Sequence, residues 1–122
     1  MLIEDEPHIS EAIRFLLTRD GWQVSALADG LAAEAALRAA RPDLLILDLM
    51  LPGRSGLEIL SALRADPGFA SLPVMMLTAK GQGRDREAAE RAGANLFMAK
   101  PFSNAEFVAA ARSLVPVEGQ TA

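Results

Sequence analysis

Glu4, Asp5, Asp48, Thr78 and Lys100 are the side chains of this 122-residue chain best suited to metal binding or group transfer. Each follows a short apolar run. Glu4-Asp5-Glu6 comes after Met1-Leu2-Ile3, Asp48 after Leu44 to Leu47, Thr78 after Val74 to Leu77, and Lys100-Pro101 after Leu96 to Ala99. Runs of this kind read as strands buried on both faces. A carboxylate at the lip of a buried strand needs a reason. If the first and third strands are neighbours, Glu4, Asp5 and Asp48 converge, and their mutual repulsion raises at least one pKa. A hard divalent cation relieves that repulsion, and Mg²⁺ takes oxygen ligands. Lys100 adds a positive charge and Thr78 a hydroxyl. Each residue has a blander reading as a loop acid, a turn former or a surface lysine. Those readings weaken when all four positions fall at the same end of the same kind of element.

The elements that must position these groups alternate along the chain. The reading gives strands at Met1–Ile3, Trp22–Leu27, Leu44–Leu47, Val74–Leu77 and Leu96–Ala99. Between them lie helical patterns. Pro7 opens the first, and Ile9, Ala12, Ile13, Leu16 and Leu17 recur at helical spacing until Asp20-Gly21 stops it. Asp29-Gly30 caps an Ala-rich helix from about Leu31 to Ala40. Ser55 with Glu58 and Ser103 with Glu106 are capping-box pairs for helices reaching Ala65 and Leu114. A fourth helix spans about Asp85 to Ala92, with Gly93 as its stop. Five strands alternating with five helices predict an α/β fold, a doubly wound parallel sheet covered on both faces. Sites in such sheets lie at the carboxyl ends of the strands. One domain is expected over residues 1–115, with a loose tail at 116–122.

Composition narrows the class. Apolar residues make up 51% of the chain, enough for a sizeable core, and charged residues 23%. A net charge of -4 argues against nucleic-acid binding by charge alone. The chain has no cysteine, so it has no disulfide framework and no thiolate nucleophile. No apolar run approaches the roughly 18 residues of a membrane span, and no basic-then-apolar leader opens the chain. A cytoplasmic location is expected.

The motifs "LIEDEP", "DLLILDLMLPGRSGLEIL", "PVMMLTA" and "AGANLFMAKPF" occur in an order and at separations that resemble the receiver domain of two-component response regulators. The resemblance runs from about Leu2 to Leu114. It implies a flavodoxin-like sheet in the order 2-1-3-4-5. It implies that Asp48 accepts a phosphoryl group from a partner's phosphohistidine, becoming an aspartyl phosphate. Asp5, Asp48 and the backbone carbonyl of Met50 are then the Mg²⁺ ligands, and Glu4 acts through a metal-bound water. Lys100 pairs with the phosphoryl oxygens, Thr78 is the switch hydroxyl and Phe97 the switch aromatic. The Lys100–Pro101 peptide is implied to be cis. Switching would reshape the face made by helix four, strand five and helix five. Met50 and Lys80 would border the phosphoryl group, and Gly81 and Gly83 imply mobility in that loop.

The resemblance implies a signalling phosphoprotein that catalyses only its own phosphorylation and slow dephosphorylation. Its partners would be a histidine kinase or histidine phosphotransfer protein and a downstream protein target, with a homodimer as a further option. No membrane or direct nucleic-acid contact by this domain is expected. The stretch Asn95-Leu96-Phe97 lacks the acidic pair usual in receivers joined to winged-helix output domains. This favours a stand-alone receiver or a piece of a hybrid kinase or larger regulator. The first strand starts at residue 1, so weak anchoring of strand one and Asp5 is a further expectation. A phosphorylation-independent pseudo-receiver is the main rival, although the acidic, Thr and Lys positions are all present. An aspartyl-phosphate phosphatase would carry a second Asp two residues after the first, where Met50 stands. A flavodoxin-like small-molecule binder would carry a phosphate-cradling loop after strand one. His8 reads as solvated, Trp22 as a strand-two packing residue, and Arg84 to Arg91 as a solvated helix face.

Overall fold

The computed structural model describes residues 1–78 and 83–115. The elements run β1 (Leu2–Ile3), α1 (Pro7–Arg19), β2 (Ala26–Leu27), a 3-10 turn (Gly30–Ala32), α2 (Ala33–Ala40), β3 (Leu45–Asp48), α3 (Gly56–Ala65), β4 (Val74–Thr78), α4 (Gly83–Ala92), β5 (Leu96–Ala99) and α5 (Asn104–Leu114). The five strands form one parallel sheet in the order β2-β1-β3-β4-β5, the flavodoxin-like winding.

Alternation along each strand builds two cores. Leu2, Leu44, Ile46, Met75 and Leu77 pack with Ile13 and Leu17 of α1 and Phe107 and Ala111 of α5. Ile3, Leu45, Leu47, Val74 and Met76 pack with Leu37 of α2, Ile59, Leu60 and Leu63 of α3, and Ala89 of α4. Each fully buried Leu or Ile contributes about 1.5–3 kcal/mol of transfer free energy. β3 and β4, buried at every residue, are the rigid centre. β5 is half-buried throughout, as an edge strand should be.

Helix starts follow local chemistry. Ser55 and Ser103 accept from the backbone N–H of Glu58 and Glu106, and Glu6 accepts from His8 ahead of Pro7. Asp29 caps the turn before α2 through the Leu31 N–H at 2.6 Å.

Several expectations change. The second strand is two residues long, not six, and Trp22 lies outside it. The Trp22 ring packs instead into the α1/α5 core, and its Nε1 donates to Asp20 Oδ2 at 3.2 Å. The Ala-rich helix begins at Ala33 behind the 3-10 turn, not at Leu31. β3 and β4 end in Asp48 and Thr78 as expected, whereas α4 starts two residues early, at Gly83. β1 is well anchored on both sides. Leu2 N donates to Ser25 O and Ile46 N to Met1 O, both at 2.8 Å, and the Met1 amine donates to Leu44 O at 2.7 Å. Lys80, Gly81 and the 116–122 tail lie outside the described residues.

The amino edge of the sheet is held by Arg64, from the last turn of α3. Its guanidinium donates to the carbonyls of Gly93 at 3.0 Å, Phe69 at 2.9 Å and Ala70 at 3.3 Å, and to Asn95 Oδ1 at 3.0 Å. Asn95 Oδ1 also accepts from Val74 N at 2.8 Å. One side chain thus ties α3, the start of β4, the end of α4 and the start of β5.

Candidate functional site

The carboxyl ends of β1, β3, β4 and β5 carry the groups singled out in the sequence. Register accounts for their meeting: Ile3 pairs with Leu47, Asp48 with Leu77, and Thr78 with Ala99. Asp48 and Thr78 therefore end their strands, Glu4 and Lys100 stand one step past theirs, and Asp5 stands two steps past β1.

Glu4, Asp5 and Asp48 each offer an oxygen, and the three lie within 4.8 Å of one another. Glu4 and Asp48 are buried, and Asp5 is exposed. Lys100 reaches between the two buried acids, with Nζ 2.6 Å from Glu4 Oε1 and 3.4 Å from Asp48 Oδ1. Glu4 Oε2 also accepts the Glu6 N–H at 3.0 Å. Glu4 is therefore committed to Lys100 and to its own loop, which leaves Asp5 and Asp48 as the less encumbered carboxylates.

The electrostatics follow from burial and crowding. Burial pushes the Asp48 carboxyl up, the neighbouring Glu4 carboxylate adds to this, and Lys100 offsets it only in part, so the pKa is raised to about 7. Burial opposes the charge on Lys100, but Glu4 and Asp48 outweigh it and hold the ammonium above its ordinary value. Among the described residues, Lys100 meets two of the three clustered carboxylates, Glu4 and Asp48, so this group carries an excess of negative charge. An all-oxygen set with that charge fits Mg²⁺ by donor chemistry, with Asp5 and Asp48 as the open donors.

Thr78 is buried at the end of β4, and its carbonyl accepts from Lys100 N at 2.7 Å. Phe97 pairs with Met76, so Phe97 and Thr78 fall on the same face of the sheet. The Phe97 ring is half-buried against the α2/α3/α4 core, and the Arg86 guanidinium lies 5.6 Å from its centroid. Arg86 is therefore more than part of a solvated face. The Lys100–Pro101 peptide is cis. His8 is exposed on α1.

A cleft of about 680 Å³ opens from the rim. Its lining includes the rim residues Glu4, Asp5, Asp48 and Lys100 together with apolar side chains such as Ile9 and Phe102. The Met50 side chain is 73% exposed. Phe102 stacks on Phe107 with ring centroids 4.9 Å apart, which ties this part of the lining to α5.

The sequence reading gives no role to Gly56, yet this residue sets the position of Asp48. It is buried at the start of α3, and its N–H donates to Leu49 O at 2.9 Å. A Cβ there would collide with the Asp48 carbonyl oxygen and stand 3.0 Å from Leu49 Cα. A glycine following a capping serine was the available signal. Its meaning depends on the β3–α3 approach, which local sequence does not encode.

The comparisons with known proteins agree with this geometry. The profile of the response regulator receiver domain matches residues 1–112. "Probable transcriptional regulatory protein TcrX" of Mycobacterium tuberculosis is 42% identical over 99% of this chain and 51% of its own length. The chain thus spans about half the length of the curated relatives it matches. These relatives are described as DNA-binding or transcriptional regulators. Among solved structures, the signal receiver domain of a signal transduction histidine kinase from Syntrophus aciditrophicus superposes with a TM-score of 0.87 at 29% identity, covering 99% of this chain and 92% of that one. The receiver domain of a sensor histidine kinase from Pseudomonas aeruginosa, solved with a magnesium ion coordinated in its active site cleft, gives 0.85 at 32% identity. It covers 93% of each chain. Fold, rim and profile agree, and the chain belongs to the response regulator receiver domain family.

Proposed function

We propose that this chain is the phosphoacceptor domain of a two-component system and that Asp48 receives the phosphoryl group. The observation that carries this reading is the placement of Asp48: buried at the end of β3, beside Lys100 and Glu4, and open to a cleft that a donor can enter. In the transfer, an Asp48 oxygen forms the O–P bond as the N–P bond of a partner's phosphohistidine breaks, and the departing imidazole takes up a proton. Such a transfer needs in-line positioning and neutralisation of charge on the equatorial oxygens. Lys100 Nζ, already between Glu4 and Asp48, has only to exchange one carboxylate for a phosphoryl oxygen. Asp5, Asp48 and the Met50 carbonyl would hold Mg²⁺, with Glu4 contributing through a water. The cation would supply charge neutralisation and favour the ionised form of Asp48.

Thr78 is the proposed switch hydroxyl and Phe97 the proposed switch aromatic. Both lie on the α4 face of the sheet, so a Thr78 shift toward new phosphoryl oxygens changes the packing beside Phe97 and Arg86. The partners proposed are a histidine kinase or phosphotransfer protein on the cleft side and a downstream protein on the α4–β5–α5 side, with a homodimer as one form of the latter. Among the described residues, no helix is long and apolar enough to cross a membrane.

The test is intact-protein mass after brief incubation with acetyl phosphate and Mg²⁺. One added phosphoryl group is expected, absent without Mg²⁺ and absent in Asp48→Asn. A folded wild type that gains no adduct would favour the phosphorylation-independent pseudo-receiver instead.

A further inference from the structure

The loop after Asp48 is gripped from outside by a turn lying some twenty residues earlier. Gly30 N donates to Pro52 O at 3.2 Å. Gly30 is buried so tightly against this loop that a Cβ would collide with the Arg54 carbonyl oxygen and stand 3.1 Å from Ile59 Cδ1. Beside this backbone contact, Arg54 pairs with Glu34 in the first turn of α2, with both side chains only about a third exposed. From inside, Gly56 seats the same loop against Asp48. Residues 49–55 therefore have little freedom, and the constraint comes from two separate elements.

We propose that Gly30 and the Glu34–Arg54 pair are positioning residues for the cation site. They hold the loop so that the Met50 carbonyl stands ready beside Asp5 and Asp48. The inference rests on the Mg²⁺ reading above. Its physical basis is the pre-organisation of a ligand by the groups behind it, whose loss from metal sites typically weakens binding about 10–100-fold. None of the three touches the carboxylate cluster, so their effect must pass through the loop backbone.

Mg²⁺ affinity, measured by calorimetry on the intact chain, tests this. Gly30→Ala should weaken binding about tenfold or more. Glu34→Arg should weaken it by a smaller factor, and adding Arg54→Glu to it should restore the affinity by reversing the pair. Arg38→Gln is the control, because it removes an ion pair to Asp66 from the other end of α2 without touching the loop. It should leave Mg²⁺ affinity unchanged. Amide chemical shifts of residues 49–55 in the metal-free protein should move in Gly30→Ala and Glu34→Arg and not in Arg38→Gln. If the wild type binds Mg²⁺ and the Gly30 and Glu34 variants bind it equally well, the positioning role is wrong and the Mg²⁺ reading stands. If the folded wild type shows no saturable Mg²⁺ binding, both fall. An unrestored charge-reversal pair would overturn the part assigned to Glu34 and Arg54.

Discussion

The two edges of the sheet use charge in opposite ways. At the amino edge, Arg38 meets Asp66, Arg112 meets Asp20, and Arg64 spends its guanidinium on carbonyls and Asn95. The Arg112 guanidinium holds the Asp20 carboxyl below its usual range. At the carboxyl edge, among the described residues, two of three clustered carboxylates share Lys100, and Asp48 is pushed up to about 7. The same strands end in both places, so the difference is not one of secondary structure. One edge has matched charges and stabilises the fold. The other keeps an excess of negative charge that a cation can relieve, and such local cost is expected where a protein does chemistry.

The largest effect should come from removing the amino-edge tie. Arg64→Ala strips the side-chain donor from the Gly93 carbonyl, leaves the Phe69 carbonyl with only the Leu72 N–H, and loosens the tie among α3, β4, α4 and β5. A loss of about 2–4 kcal/mol is expected in denaturant unfolding. Phosphorylation of the folded variant by acetyl phosphate should persist. If Arg64→Ala cost nothing, the amino edge would not be the stabilising one.

At the carboxyl edge the sign should reverse. The folded pKa of Asp48 lies near 7, above its ordinary carboxylate value. The stability it contributes is complete at acid pH, below the unfolded value, and is lost as pH rises through about 7. In metal-free buffer at pH 8, Asp48→Asn should therefore be more stable than wild type, by on the order of 1–2 kcal/mol. The gap should close toward pH 4. Added Mg²⁺ should raise the wild-type melting temperature at pH 8 more than that of the variant. A wild type more stable than Asp48→Asn at pH 8 without metal would rule out a destabilising excess of charge at this edge.

Asp20→Asn should show the smallest effect, with the opposite sign. A depressed carboxyl stabilises at neutral pH, and that contribution fades as pH falls through its lowered value. The melting temperature should drop slightly at pH 7 and recover its wild-type value in acid. The Arg112 side of the pair is open to solvent, so about 1 M NaCl should reduce the drop.

Much of this was legible because local signals agree. Apolar runs at Leu44–Leu47 and Val74–Leu77 could hardly be anything but central strands, and Ser55 and Ser103 cap their helices where a Glu three residues on announces it. The second strand is shorter than its apolar residues suggest. Trp22 and Val24 are apolar, but they serve the α1/α5 core from a segment whose strand is confined to Ala26 and Leu27, with an isolated bridge at Gln23. Apolar character reports burial, and burial does not require a ladder. Gly30 and Gly56 were legible as glycines only, because what each excludes is a backbone atom from another element.

By itself, then, the sequence determined the alternating elements, their caps and the set of charged groups at strand ends. These depend on contacts within a few residues. Tertiary structure alone decided that Lys100 binds Glu4 across 96 residues, that Asp48 is crowded enough to resist ionisation, and that the turn at Gly30 grips the loop after Asp48. These are matters of desolvation and of distance between remote segments, and both come into being only when the sheet is assembled.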